Sequence, residues 1–228
     1  MTTSSGTTTS IREATPEDAA ALAGVHVRSW QAAYRDLLPG PYLDSLDPEE
    51  RAAVWRDRLT APDRPTVLLA TEADGRVVAF SCLRAWPGEE PEEPEESGSS
   101  HASHGPDGTD GTDGTDGTDG TDGTDGTDGT DGTDGTDALD PTTTAELAAL
   151  YALPEVWGTG VGRSLLAAST EVLVTAGFRT AVLWVFTDNT RGRRFYEAAG
   201  WRPDGRAVHD VTGGRELEEL RYRRELFD

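Results

Sequence analysis

From Thr15 onward, apolar side chains return every three to four residues through "PEDAAALAGVHVRSWQAAY", the spacing of a helix with one buried face. A short strand is expected around Ile11, just before it. Thr15 stands at the cap, Pro16 at the first helical position, and Glu17 and Asp18 in the first turn, where the helix dipole favours anions. The same device recurs at Asp47-Pro48, ahead of Ala52, Val54, Trp55 and Leu59 at helical spacing. In "TVLLATEADGRVVAFSCL" two apolar runs meet at Asp74-Gly75, which predicts a β-hairpin.

The pattern resumes after a long interruption. "AELAALYAL" (145–153) reads as a buried strand, although its alanines and leucines also suit a helix; Pro154 ends it either way. "GVGRSLLAASTEVLVTAG" predicts a helix ending at Gly177. "TAVLWVF" is apolar throughout and rich in β-formers, as a central strand would be. "NTRGRRFYEAAG" predicts a short helix capped by Asn189 or Thr190 and stopped at Gly200. "WRPDGRAVHDV" and "LEELRYRREL" predict two last strands, the second amphipathic with arginines on one face. Strand, helix, helix, hairpin, strand, helix, strand, helix, strand, strand is the order of an α/β (α+β) domain, a mixed sheet with helices on its faces.

Composition explains the interruption. The chain has 228 residues and a net charge of -22. Of its 42 acids, eighteen lie between Gly88 and Asp140, a stretch with no base and ten consecutive Gly-Thr-Asp triplets. What remains is 24 acids against 20 bases, all of them arginine. A segment with almost no apolar side chains cannot offset its ordering entropy, so 88–140 is expected to be a disordered acidic insertion. Such a tether spans roughly 40 Å between its ends. The triplets lack the proline of collagen and the apolar position of calcium-binding repeats. Residues 1–10 are expected to be a disordered N-terminus, leaving 11–87 and 141–228 as two halves of one domain. There is no signal-peptide pattern or membrane-length apolar run, and Cys82 is the only cysteine. A cytoplasmic setting and no membrane partner follow as expectations. Such an acidic chain also suits nucleic acid poorly.

Chemistry concentrates in "LYALPEVWGTGVGRSLL". A strand ends at Pro154, and Gly158, Gly160 and Gly162 then open a helix, so that backbone can approach a ligand closely. The unpaired N–H groups of a helix start, with Arg163 beside them, favour a phosphate. A dinucleotide turn would need glycine where Arg163 stands, and a nucleotide P-loop would need a lysine that this chain lacks. Close strand–helix packing is an alternative explanation of the glycines.

Trp157-Gly158-Thr159-Gly160-Val161-Gly162 resembles the Gln/Arg-x-x-Gly-x-Gly/Ala signature of the GCN5-related N-acetyltransferases (GNAT), with Trp157 in place of the leading Gln or Arg. Asn189, followed seven residues later by Tyr196 in "RFYEAAGW", is similar to a second motif of that family. The resemblance runs from about Ile11 to Leu226. It implies a mostly antiparallel central sheet with helices on both faces, splayed between strands four and five.

It also implies acetyl transfer from acetyl-CoA to an amine acceptor, with no metal. Leu150, Tyr151 and Ala152 would pair through their backbone with the pantetheine arm. Gly158, Thr159, Gly160, Val161, Gly162 and Arg163 would hold the diphosphate, and Asn189 would bond the arm from the other side. Tyr196 matches the donor to the leaving thiolate. With a thiol near ~8.5 and a phenol near ~10, full proton transfer costs about 2 kcal/mol unless Arg193 or Arg194 lowers the phenol. Glu146 matches a catalytic glutamate of some members and is the candidate general base; a solvated glutamate at a strand edge is the alternative. Trp184 stands where other members place a base. Trp30 and Tyr34 match an acceptor-pocket region, although aromatic residues at helical spacing also form core. Dimers are common in the family, so a homodimer is one implied state. His26 and His209 have no partner at metal spacing, and Cys82 reads as buried in a strand. Two other function classes stay open: a non-catalytic acyl-CoA sensor, and an interaction protein working through its acidic segment.

Overall fold

The computed structural model describes residues 9–88 and 139–227. The expected disordered N-terminus and acidic insertion therefore lie, apart from their last and flanking positions, outside the described residues.

A short strand β1 (Ser10–Glu13) is followed by a 3-10 turn over Pro16–Asp18 and helix α1 (Ala19–Ala33). The α-helix thus begins one turn later than the cap at Thr15 suggests. The Asp18 carboxylate folds back to accept the Thr15 backbone N–H at 2.9 Å, and two Arg12 nitrogens hold it at 2.7 Å each. Arg12 drives the Asp18 carboxyl down to about 2. The five-residue helix α2 (Gly40–Asp44), starting in Pro39-Gly40-Pro41, has no counterpart in the sequence reading. Helix α3 (Pro48–Thr60) follows its expected cap, with Asp47 accepting the Glu49 N–H at 2.7 Å.

Strands β2 (Thr66–Thr71) and β3 (Val77–Ala85) form the hairpin, with Gly75 at φ 88° in its turn. Next come β4 (Thr144–Ala152), α4 (Val161–Thr175), β5 (Thr180–Phe186), α5 (Thr190–Ala198), β6 (Arg202–Thr212) and β7 (Arg215–Glu225). These build a seven-stranded sheet in the order β1-β2-β3-β4-β5-β7-β6. Every neighbouring pair is antiparallel except β4–β5. Helices α1 and α3 cover one face, where Trp55, Phe80 and Tyr151 meet edge to face. Helix α4 covers the other, where Ser81 and Ser169 share a buried hydrogen bond of 2.8 Å.

The β4–β5 seam positions the site. It holds three pairs only, Thr144 with Thr180, Ala145 with Ala181, and Glu146 with Val182. Just beyond it, β4 carries an extra residue: Cys82 pairs with Ala149 and Leu83 with Leu147, leaving Ala148 unmatched. Such a bulge bends and twists its strand. β4 stays with β3 while β5 continues along β7, and a cleft opens with Glu146 at its vertex.

β7 is buried on both faces, by Tyr222 on one and by Leu217, Glu219 and Arg221 on the other. Arg221 is buried, bonds Asp204 at 2.7 Å, and lies over the rings of Trp86 and Trp184. Trp86 and Leu139, at the two described edges of the acidic stretch, pack together with Val182. The described residues on either side of 89–138 thus meet in one cluster.

Candidate active site

The cleft holds a cavity of about 410 Å³. Its first end is the glycine turn. After β4, Pro154–Val156 makes a 3-10 turn, and the chain reaches α4 through Gly158 at φ 77° and Gly160 at φ 99°. A Cβ on Gly158 would point into open space, and one on Gly160 would meet only the Arg163 guanidinium, at 3.8 Å. Among the described residues no side chain caps α4, whose first helical bond runs from Ser164 N–H to the Gly160 carbonyl. The N–H groups at the start of a 15-residue helix are thus presented beside Arg163, a setting suited to a phosphate. Gly158, Gly160, Gly162 and Arg163 line the cavity; Thr159 and Val161 do not, the Thr159 hydroxyl donating to the Val156 carbonyl and Val161 being buried.

The β4 wall is more selective than the three-residue expectation. Leu153 N–H bonds the Val78 carbonyl at 2.9 Å, so alternation turns Tyr151 backbone toward β3 and that of Leu150 and Ala152 toward the cleft. The Ala152 carbonyl already accepts two hydrogen bonds, from Ser29 Oγ at 3.0 Å and Trp157 Nε1 at 2.8 Å. Available to an extended guest are Leu150 and the N–H of Ala152. Tyr151 contributes its side chain instead, stacked on His26 with ring centroids 4.9 Å apart.

Across the cleft, Asn189 caps α5: its Oδ1 accepts the Gly192 N–H at 2.9 Å. Gly192 is required there, because a Cβ would come within 2.7 Å of Asn189 Nδ2. Burial pushes the Tyr34 phenol well up, and Asn189 nearby opposes that push. Tyr196, about two helical turns after Asn189, packs against Phe195 and Trp201 and reaches the cavity. Burial, then the nearby Tyr151, raises its phenol well above the ordinary value. Neither arginine offered as a counterweight reverses this: Arg193 is committed to the Tyr222 hydroxyl and the Thr187 carbonyl.

At the other end, Trp30, Tyr34 and Phe186 form an aromatic recess, with Trp30–Tyr34 and Tyr34–Phe186 centroids 5.1 and 5.3 Å apart. Trp30 and Tyr34 belong to the core and to the cavity wall at once. Glu146 lines the cavity from the vertex. It is 5 % exposed and ion-paired to Arg84, so a solvated strand-edge glutamate does not describe it. A second carboxylate, Glu219 on β7, pairs across from Phe186 and is 3 % exposed at the acceptor end. Its charge helps raise the phenols of Tyr34 and Tyr151, the latter pushed up to about 12 mainly by burial. Sequence reasoning missed Glu219 because it sits in a charged, strand-period run that looks like a solvent face. It also missed Arg191, whose guanidinium carbon lies 3.7 Å over the Trp157 ring. Cys82 is buried outside the cavity, and its thiol is pushed up to about 12 by burial. His26 is buried among aromatic rings, and exposed His209 lies 3.7 Å from Glu216. No described helix is long and apolar enough to cross a membrane.

Comparison with known proteins agrees with this architecture. The model of the Acetyltransferase (GNAT) family matches residues 129–201, which include β4, the glycine turn and α5. An uncharacterized N-acetyltransferase of Bacillus subtilis, YuaI, is 28% identical over 179 residues, 78% of this chain and 72% of that protein. The PaiA N-acetyltransferase of Thermoplasma acidophilum, solved in complex with coenzyme A, superposes with a TM-score of 0.56 at 17% identity, covering 96% of this chain and 99% of that one. YncA of Salmonella typhimurium, solved with its cofactor acetyl-CoA, gives 0.58 at 18% identity, covering 97% and 95%. A GNAT family model thus matches about a third of the chain, and N-acetyltransferases stand among both its sequence relatives and its structural neighbours.

Proposed function

We propose that this protein moves an acetyl group from acetyl-CoA to a primary amine of a small molecule or peptide, by direct attack and without a covalent enzyme intermediate. One observation carries the reading: the β4–β5 cleft joins an arginine-flanked glycine turn at one end to an aromatic recess with a buried carboxylate at the other. The turn fits an anionic cosubstrate, since its glycines leave open space and its helix start offers N–H groups. Arg163 and the N–H groups there hold the diphosphate, and Leu150 and the Ala152 N–H hold the extended arm. When bound, acetyl-CoA supplies an activated thioester, whose carbonyl carbon bonds to the amine nitrogen as the carbon–sulfur bond breaks.

Direct attack is favoured by the residues themselves. Cys82 does not line the cavity, and the Ser29 hydroxyl is spent on the Ala152 carbonyl. Tyr196 keeps its proton at neutral pH and donates a hydrogen bond to the leaving sulfur. Full transfer from so raised a phenol is less favourable than the ordinary values suggest, so the hydrogen bond is its contribution. Glu146 takes the amine's proton through a water, and Glu219 seats the incoming ammonium between aromatic walls. Among the described residues, the only arginines lining the cavity, Arg163 and Arg191, stand at the turn end. An acceptor that carries positive charge is therefore preferred over an anionic one.

A screen of amino-terminal peptides, lysine peptides, polyamines and aminoglycosides for thiol release from acetyl-CoA tests the reading. Release with at least one cationic primary amine is expected. Calorimetry with coenzyme A and acetyl-CoA that detects no binding would sink it.

A further inference from the structure

The leading position of the glycine signature holds Trp157, which brings no charge to the diphosphate. The structure brings a charge to it from elsewhere. Arg191, second residue of α5, lays its guanidinium flat over the Trp157 ring at 3.7 Å, across the mouth of the cleft. The ring is a fixed platform, because its Nε1 donates to the Ala152 carbonyl at 2.8 Å. Both side chains line the same cavity as Gly158, Gly160 and Arg163. Among the described residues no carboxylate forms an ion pair with Arg191. A guanidinium stacked by its face keeps its edge, with its N–H donors, free for a planar bidentate contact.

Resting on the acetyltransferase reading, we infer that the Trp157–Arg191 stack is a phosphate clasp. Arg191 binds the cosubstrate's diphosphate from the α5 side, opposite Arg163 on α4, and Trp157 aims it. Two cations from different helices then close on the diphosphate from both sides of the cleft. An uncharged tryptophan at the head of the signature is thereby compatible with tight binding, because the charge it lacks arrives from 34 positions later in the chain. The stack also ties the end of β4 to the start of α5 without any backbone hydrogen bond across the cleft mouth.

The test is calorimetric titration of the full chain with coenzyme A, 3′-dephospho-coenzyme A and pantetheine, at several salt concentrations. Arg191→Gln is expected to weaken coenzyme A and its 3′-dephospho form alike, by about 10-fold, with a shallower salt dependence, and to leave pantetheine unchanged. Trp157→Leu should lose most of the same affinity, and Trp157→Phe should restore much of it by keeping an aromatic face. Arg191→Lys should fall between, having charge without the planar fork. Unchanged affinity for coenzyme A in Arg191→Gln overturns the clasp. So does a loss confined to coenzyme A, which puts the contact on the 3′-phosphate, or an equal loss for pantetheine, which makes the stack merely structural. Wild-type protein that binds no coenzyme A overturns the acetyltransferase reading as well, whereas wild-type binding with an indifferent variant overturns the clasp alone.

Discussion

Arg84 on β3 stands directly opposite Glu146 on β4, and its Nε donates to a Glu146 carboxylate oxygen at 2.5 Å. The carboxylate is buried, while about half of the arginine side chain meets solvent (6% and 48% exposed). A buried anion at the vertex of the cleft is therefore held by a partner that water reaches. Removing that partner with Arg84→Ala should cost about 1–2 kcal/mol, less than for a fully buried pair because of solvent screening. A melting temperature several degrees lower is the expected readout. Glu146→Gln should instead lower kcat on the order of 10²-fold with the coenzyme A dissociation constant unchanged. If Glu219→Gln takes the kcat loss and Glu146→Gln does not, the base lies on β7.

Tyr196→Phe keeps the ring in its cluster and removes only the hydroxyl, so stability should be little changed. Turnover should fall by about 10- to 100-fold while coenzyme A binds as before. Because burial raises this phenol, the wild-type rate should show no alkaline loss from Tyr196 ionisation up to about pH 10. A descending limb that appears below that pH and disappears in Tyr196→Phe would refute the donor role.

The glycines of the turn are not equivalent. Gly160 adopts φ 99°, so Gly160→Ala is strained by about 1 kcal/mol and places a methyl group beside the Arg163 guanidinium. Gly162 lies within α4, and a Cβ there would sit 3.5 Å from Phe195, an ordinary contact. Gly162→Ala should fold and bind coenzyme A normally, whereas Gly160→Ala should lose both stability and affinity. Paired melting and calorimetry measurements on the two variants check this.

Acid stability carries a specific signature at Asp18. Its folded pKa, about 2, lies below the ordinary 3.8 because of Arg12. Folding is therefore favoured by this group above about pH 4, and the contribution disappears as pH falls through about 2. Asp18→Asn should be destabilised by about 1 kcal/mol at pH 7, the linkage value being discounted for the exposed Arg12. Denaturant titrations should show that gap closing between about pH 4 and pH 2.

Because Trp86 and Leu139 belong to one buried cluster with Val182, a short Gly-Ser linker should replace residues 89–138 without moving β3 or β4. Coenzyme A should bind that shortened chain with unchanged affinity. If the acidic stretch concentrates cationic acceptors, the full chain alone should show KM values for them that rise with salt.

Local sequence determined the elements and the first end of the site. Asp47-Pro48, Asp74-Gly75, Asn189 and Gly177 act through their own backbone, within a few residues, and each stands where its type requires. The glycine turn was legible for the same reason: its conformation and its helix start lie within one short stretch. Only tertiary structure decided that the charged face of β7 is buried as well as the face of Tyr222, because Glu219 and Arg221 acquire neighbours on β5, β6 and the segment after β3. It alone placed Arg191 on Trp157 and Arg84 on Glu146, pairs separated by long stretches of chain. Periodicity records how often a side chain faces one way, but a charged residue's burial depends on what the rest of the fold brings against it.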